Sequence, residues 1–254
     1  MNQKIIEASK RQAFKQQFNI KLPKKITFPI SKSQRPTVAQ VKERFQSFQG
    51  KKFECPKTNN KGEEGQLLEQ LLGIPNSSAC LDCSDGELKL FSLKKLKKSK
   101  QYTAKETVAI TMRGLNNGQY LSWAESDLRK KTNNMLFISY IREGDYITYK
   151  SAFLFGASRP EYAQFQSDYE KITEYYRTHG ICQLEKNDPA HRSNTINGTY
   201  IQGRTKGAGK KVGNGLRTVA FYFRKTEFIK DVILQKINTK STHQSSSPQD
   251  SSNE

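Results

Sequence analysis

The segment MLFISYI, residues 135–141, constrains the fold more than any other stretch of the chain. Its near-continuous apolar run is too short for a buried helix and rich in strand-forming types, so it predicts a strand covered on both faces. TVAITM (107–112) reads as a half-buried strand, and ELKLFSL (87–93) sets Leu88, Leu90 and Leu93 among charged or small residues. Helical patterns surround these strands. TVAQVKERFQSF (37–48) opens on Thr37, a capping residue, and GEEGQLLEQLL (62–72) gathers Leu67, Leu68, Leu71 and Leu72 on one face before Gly73 and Pro75 end it. SWAESDLRKK (122–131) predicts another helix, and EYAQFQSDYEKITEYYRTHG (161–180) an amphipathic one stopped by Gly180. TYIQGRT and RTVAFYFRK predict two short strands, with EFIKDVILQKI a final helix. The order places the chain in the α/β or α+β class, with a central mixed sheet flanked by helices.

Charge narrows the partner. Lys and Arg number 43 against 24 Asp and Glu, a net +19 in 254 residues. An excess of that size steers a polyanion toward the surface and supplies phosphate contacts, which points to nucleic acid. Hydrophobic residues make up only 34%, so some polar sequence must lie outside a modest core. Residues 1–35 read as a basic extension in which the part up to about Phe18 is able to form a helix, and the Ser-rich 239–254 as a disordered tail. No apolar run is long enough to span a bilayer, and the N-terminus lacks the apolar core of a secretory signal. The expectation is a cytoplasmic, reduced protein whose four cysteines are free thiols.

The stretch ACLDCSDGELKLF (79–91) supports two chemistries. Cys80 and Cys83 form a C-x-x-C pair, but a structural zinc site needs four ligands, and only His179 with Cys182 offers a second pair. Asp82, Asp85, Glu87 and Lys89 instead form D-x-x-D-x-E-x-K. Hard cations bind carboxylate oxygens, and a lysine beside them orients a water or offsets phosphate charge. On a strand, Glu87 and Lys89 share a face while Leu88 turns into the core. Asp82 falls at the end of a preceding strand or turn, and Glu69 lies on the helix before it.

The segment KGEEGQLLEQLLG…LDCSDGELK resembles the MutH family of DNA endonucleases, with its K-G-x-x-G-x-L-L-E helix followed by D-x(6)-E-x-K strands. Further blocks in the same order extend the resemblance over about residues 60 to 235: WAESDLRKK (123–131), QFQSDYEKI (164–172), YIQGRTKGAGK (200–210) and AFYFRKTEF (220–228). The resemblance implies a PD-(D/E)xK fold over residues 36–238, with a catalytic part near 60–150 and a DNA-reading part near 195–230. By position it implies that Asp82, Glu87 and Lys89 form the catalytic set, with Glu69 supporting Lys89 and Lys131 near the scissile phosphate. It implies a Mg²⁺ ion on Asp82, Glu87 and the Leu88 carbonyl, and DNA contacts from Arg204, Lys206, Tyr222 and the basic residues after the Trp block, including Arg129. Asp82 lies five residues before Glu87 where the family has seven, so Asp85 stays a rival ligand.

The family holds mismatch-repair nicking enzymes and type II restriction enzymes of GATC specificity. The basic link LKKLKKSKQYTAKETVAITM resembles the restriction branch. That branch implies double-stranded DNA as substrate, a homodimer on a palindrome, and a DNA methyltransferase as genetic partner. The run KKLKKSK (94–100) is a phosphate-binding loop or a solvated hairpin, and Gly203, Gly207 and Gly209 are expected to let the backbone approach the groove.

Overall fold

In the computed structural model the described residues are 35–57, 62–75, 79–99, 101–116, 120–180, 195–206 and 218–237. The N-terminal extension except Arg35, the segment 207–217 with Gly207 and Gly209, Cys182, His191 and the tail lie outside them. In chain order the elements are α1 (Val38–Gln46), β1 (Lys52–Glu54), α2 (Glu63–Leu72), β2 (Glu87–Lys95), β3 (Tyr102–Ala104) and β4 (Val108–Asn116). Then come α3 (Asp127–Thr132), β5 (Asn134–Glu143), β6 (Tyr146–Gly156), α4 (Ala163–His179), β7 (Thr195–Asn197), β8 (Ile201–Lys206), β9 (Thr218–Phe223) and a π-wound helix, α5 (Lys225–Leu234). Among the described residues, no helix is long and apolar enough to cross a membrane.

The run at 135–141 lies inside β5, the middle strand of a five-stranded sheet of order β1-β6-β5-β2-β3. The sheet is mixed: β5 runs parallel to β2 and antiparallel to β6. Met135 and Phe137 enter one apolar core, Leu136 and Ile138 the other. Alternation between two dry faces favours apolar side chains at every position, which explains the near-continuous pattern; Ser139 is fully buried and its hydroxyl meets that of Ser151 at 2.6 Å. Helices α1 and α2 cover one face through Val38, Val41, Phe45, Leu68 and Leu72. The other face packs against Phe165 of α4, Phe228 of α5 and Phe221 of a second sheet. Strand β2 is likewise covered on both sides, since Leu88 joins the first core while Phe91 and Leu93 join the second.

The second sheet is antiparallel, of order β4-β9-β8-β7. The TVAITM segment therefore leaves the central sheet and pairs with β9, where Ala109 lies opposite Tyr222. Local signals set the helix ends. Thr37 accepts from the Gln40 backbone while the Gln40 side chain accepts from the Thr37 backbone, and α2 stops at Gly73 with φ of 67°. SWAESDLRKK divides at Ser126 into a single 3₁₀ turn, Trp123–Glu125, and α3, because the Ser126 hydroxyl accepts from the Arg129 backbone N–H and starts a new helix.

One buried carboxylate joins α4 to the second sheet. Asp168 is 1% exposed and accepts backbone N–H groups of Thr199, Tyr200 and Ile201 at 2.7, 2.6 and 2.8 Å. The turn comes so close that a Cβ on Gly198 would stand 2.4 Å from the Asp168 carboxyl carbon. Removing the carboxylate would strand three N–H groups near the start of β8. Asp168→Ala should lower the unfolding free energy by about 3 kcal/mol, with Asp168→Asn between it and the wild type, in urea unfolding.

Candidate active site

Glu87 begins β2 and is 2% exposed. Its Oε1 accepts from Lys89 Nζ at 2.8 Å and from Lys131 Nζ at 2.7 Å. The Lys89 contact follows from strand geometry, since residues two apart share a face. Lys131 reaches in from the last turn of α3 and also donates to the Cys80 carbonyl, tying the loop before β2 to the helix. The expectation for Lys131 was a position near the scissile phosphate; the structure turns its ammonium inward onto Glu87. Among the described residues, Glu87 Oε2 is buried with no hydrogen-bond partner.

Lys89 Nζ makes a second, longer contact of 3.3 Å with the Ile110 carbonyl of β4, which joins the two sheets at the site. The expectation that Glu69 holds Lys89 is corrected here. Glu87, on the same strand face, and Ile110 hold the ammonium, while the charges that act on Glu69 are Asp82 and Glu87.

Asp82 does not end a strand. Residues 82–85 form a bend, and Asp82 Oδ2 accepts from the Leu88 backbone N–H at 3.1 Å. Asp85 faces elsewhere: its Oδ1 accepts from the Val38 backbone N–H at 2.7 Å, holding the first turn of α1. Gly86 makes the bend possible, since a Cβ there would stand 2.2 Å from the Asn134 carbonyl oxygen and 2.6 Å from Val38 Cγ2. The two acids of this bend thus separate, Asp82 toward the cleft and Asp85 toward a helix end. The cysteines beside Asp82 also separate, Cys80 exposed and Cys83 buried, both free thiols.

Glu69, Asp82 and Lys89 line a cleft of about 740 Å³ whose far wall is Val108, Ala109 and Met112 of β4. Burial, then the charges of Asp82 and Glu87, push the Glu69 carboxyl up to about 6. Burial, and next Glu87, raise Asp82. Carboxylates that raise one another across a cleft are relieved by a cation. Among the described residues, no three His, Cys, Asp or Glu side chains gather closely enough to hold an ion by themselves. The donors that fit a hard cation are Asp82, the unpartnered Glu87 Oε2 and the Leu88 carbonyl, a set that leaves positions for substrate oxygens.

The DNA-contact candidates fall mostly on the second sheet. Arg204 lies over the Tyr222 ring at 4.8 Å, and Gln202, in the amide orientation that satisfies both groups, accepts from the Arg204 guanidinium. Gln202 was not singled out from sequence; its signal is the spacing of two from Arg204 on one strand face. Ala109, Tyr222 and Gln202 are successive cross-strand partners, so they share a face of the sheet. The cleft wall and the Arg204 cluster therefore lie on one surface, with Cα positions about 10 Å apart across two strand spacings. Lys206 ends β8, and its side chain is not among those described. Gly203 is buried, and a Cβ on it would meet Ile172 of α4 at 2.6 Å, so its smallness serves helix packing rather than approach to a groove. Arg129 is exposed on α3 and donates to the Ala124 carbonyl at 3.1 Å.

Residues 75–168 match the family model described as DNA mismatch repair enzyme MutH. No curated protein matches the chain significantly. Among solved structures the chain is similar to the restriction endonuclease MvaI bound to its cognate DNA substrate, at 15% identity and a TM-score of 0.36, covering 78% of this chain and 95% of that one.

The Glu69 shift has a measurable sign. A folded pKa of about 6 above the ordinary 4.5 means that the folded chain holds this proton more tightly. The stability that the proton contributes is complete below pH 4.5 and is lost as pH rises through about 6. With its partial exposure allowed for, Glu69→Gln should raise the unfolding free energy by about 1 kcal/mol at neutral pH and by far less in acid. Urea titrations at the two pH values measure the difference.

Proposed function

We propose, from the Glu87–Lys89 site and the match of residues 75–168 to the MutH family model, that the chain is a type II restriction endonuclease. It hydrolyses phosphodiester bonds in double-stranded DNA at a short palindrome, of GATC type, with Mg²⁺. The observation that carries the reading is the buried Glu87–Lys89 pair at the start of β2, whose Lys89 lines one cleft with Asp82 and Glu69.

Asp82, Glu87 Oε2 and the Leu88 carbonyl are the groups that would hold the ion. When bound, Mg²⁺ polarises the phosphate and lowers the pKa of the attacking water. Lys89 orients that water in line with the leaving 3′ oxygen and offsets charge on the phosphorane. Lys131 pairs with Glu87 and holds the Cys80 loop in place, and its charge adds to the field at the phosphate. Glu69, across the cleft, contributes negative charge that favours the ion. On the second sheet Arg204, braced by Gln202 and Tyr222, is shaped for a bidentate contact with guanine, with Lys206 beside it on β8. Arg129 supplies a backbone contact. Cutting both strands of a palindrome calls for two such sites, which a homodimer on DNA provides. A methyltransferase that modifies the same sequence is the expected genetic partner, and the cytoplasm the expected compartment.

The mismatch-repair description of the matched family supports a second reading, a strand-nicking repair endonuclease. The product separates the two. Incubation of supercoiled plasmid with Mg²⁺ should give linear DNA whose sequenced ends share one palindrome, and nicked circles alone would favour the repair enzyme. Lys89→Ala should lower cleavage by about 10²- to 10⁴-fold while DNA binding in Ca²⁺ persists, because Lys131 still neutralises Glu87. Undiminished cleavage by Lys89→Ala would remove the assignment.

A further inference from the structure

Strand β2 does not end at the cleft. Ser92 and Glu106 are the last cleft-lining residues on either side of the β2–β3 connection, and beyond them the chain continues as a hairpin. Its base is fixed: Leu93 and Ala104 are opposite each other and buried in the core. The Lys105 backbone N–H donates to the Ser92 carbonyl at 2.9 Å, and the Leu96 N–H to the Gln101 carbonyl at 2.9 Å closes the tip. Past that base every described side chain to Tyr102 is exposed, and the tip gathers Lys94, Lys95, Lys97 and Lys98. Among the described residues none of these four has a carboxylate within ion-pair distance. Two large apolar side chains share the tip, Leu96 at 40% and Tyr102 at 38% exposure. Unpaired ammonium groups beside exposed apolar surface match a nucleic-acid backbone, where phosphates alternate with apolar sugar edges.

The span gives the hairpin its place. Six residues of strand separate Lys89 from Lys95, about 20 Å at about 3.3 Å per residue. A duplex rises about 3.4 Å per base pair, so the tip stands about six base pairs from the reacting phosphate, beyond the end of a four-base-pair site. We propose that the β2–β3 hairpin is a second DNA contact, a non-specific clamp on backbone phosphates flanking the recognition sequence. The clamp rests on the endonuclease reading. It ties affinity to flanking duplex while adding nothing to base choice, and because Lys94 and Lys95 lie on the strand that carries Glu87 and Lys89, with Lys97 and Lys98 in the turn that follows, flanking contact fixes where that strand meets the backbone.

The test is the variant with Lys94, Lys95, Lys97 and Lys98 all changed to Gln, compared with wild type on a duplex of about 30 base pairs and one of about 12 with the same site. Loss of four phosphate contacts should reduce the slope of log affinity against log salt by about 3 to 4 on the long duplex and weaken binding to it tenfold or more at moderate salt. On the short duplex, affinity, salt slope and cleavage should match wild type. Independently of any variant, lysine acetylation of the wild type should be blocked at the four positions by the long duplex and not by the short one. An unchanged salt slope, or acetylation equal with both duplexes, overturns the clamp. A wild type that cleaves neither duplex overturns the endonuclease reading instead, and the slope and acetylation still report on the hairpin.

Discussion

Burying the Glu87 carboxylate is the constraint around which this site is organised. A lone carboxylate at 2% exposure would be untenable, so the fold brings two ammonium groups to it, one along the same strand and one from α3. The arrangement satisfies one oxygen and leaves the other buried with no hydrogen-bond partner among the described residues. That leftover demand sits within the field of Asp82 and Glu69, both raised by burial and by their neighbours' charge. Stability is spent to assemble buried carboxylates beside two ammonium groups, the charge that the proposed cation and phosphate would meet.

The second sheet gives the site its other half. Lys89 touches the Ile110 carbonyl, so the strand that walls the cleft also helps fix the candidate catalytic ammonium. One strand further across the same face lies Tyr222, and two strands further lie Gln202 and Arg204. The base contact proposed for Arg204 and the chemistry proposed for Lys89 would thus be connected through hydrogen-bonded strands rather than through a loop. Asp168 holds the turn leading into β8 by three backbone contacts, which keeps that strand in register with its neighbours.

Much of this was legible in the sequence where the rule is local. Period-two spacing puts Glu87 and Lys89 together, Thr37 and Gly73 mark helix ends, and the unbroken run at 135–141 marks a doubly covered strand. What the sequence left open depends on tertiary pairing. Asp82 and Asp85 are equivalent as letters; they separate because Gly86 lets the bend press against Asn134 and Val38, leaving Asp85 at the start of α1. That β4 joins β9 instead of the central sheet is a choice of partner, which no single strand encodes. The short strands β1 and β3 exist through pairing with longer neighbours. Strand β6 does alternate, and Gly144, with φ of 61°, marks the tight turn that joins it to β5. The inward turn of Lys131 was hidden because a basic residue near a phosphate site and one neutralising a buried acid look alike in one dimension.

The central claim is that Glu87 serves chemistry and not stability, and the Glu87→Gln protein tests it most directly. The measurement is its single-turnover cleavage rate in Mg²⁺, taken on protein whose fold is verified by circular dichroism and whose DNA binding is measured in Ca²⁺. The account predicts a folded protein that binds DNA but cleaves at least about a thousandfold more slowly than wild type, since a metal-holding oxygen has become a neutral amide. Cleavage within about tenfold of wild type, a loss too small for a metal ligand, would contradict it.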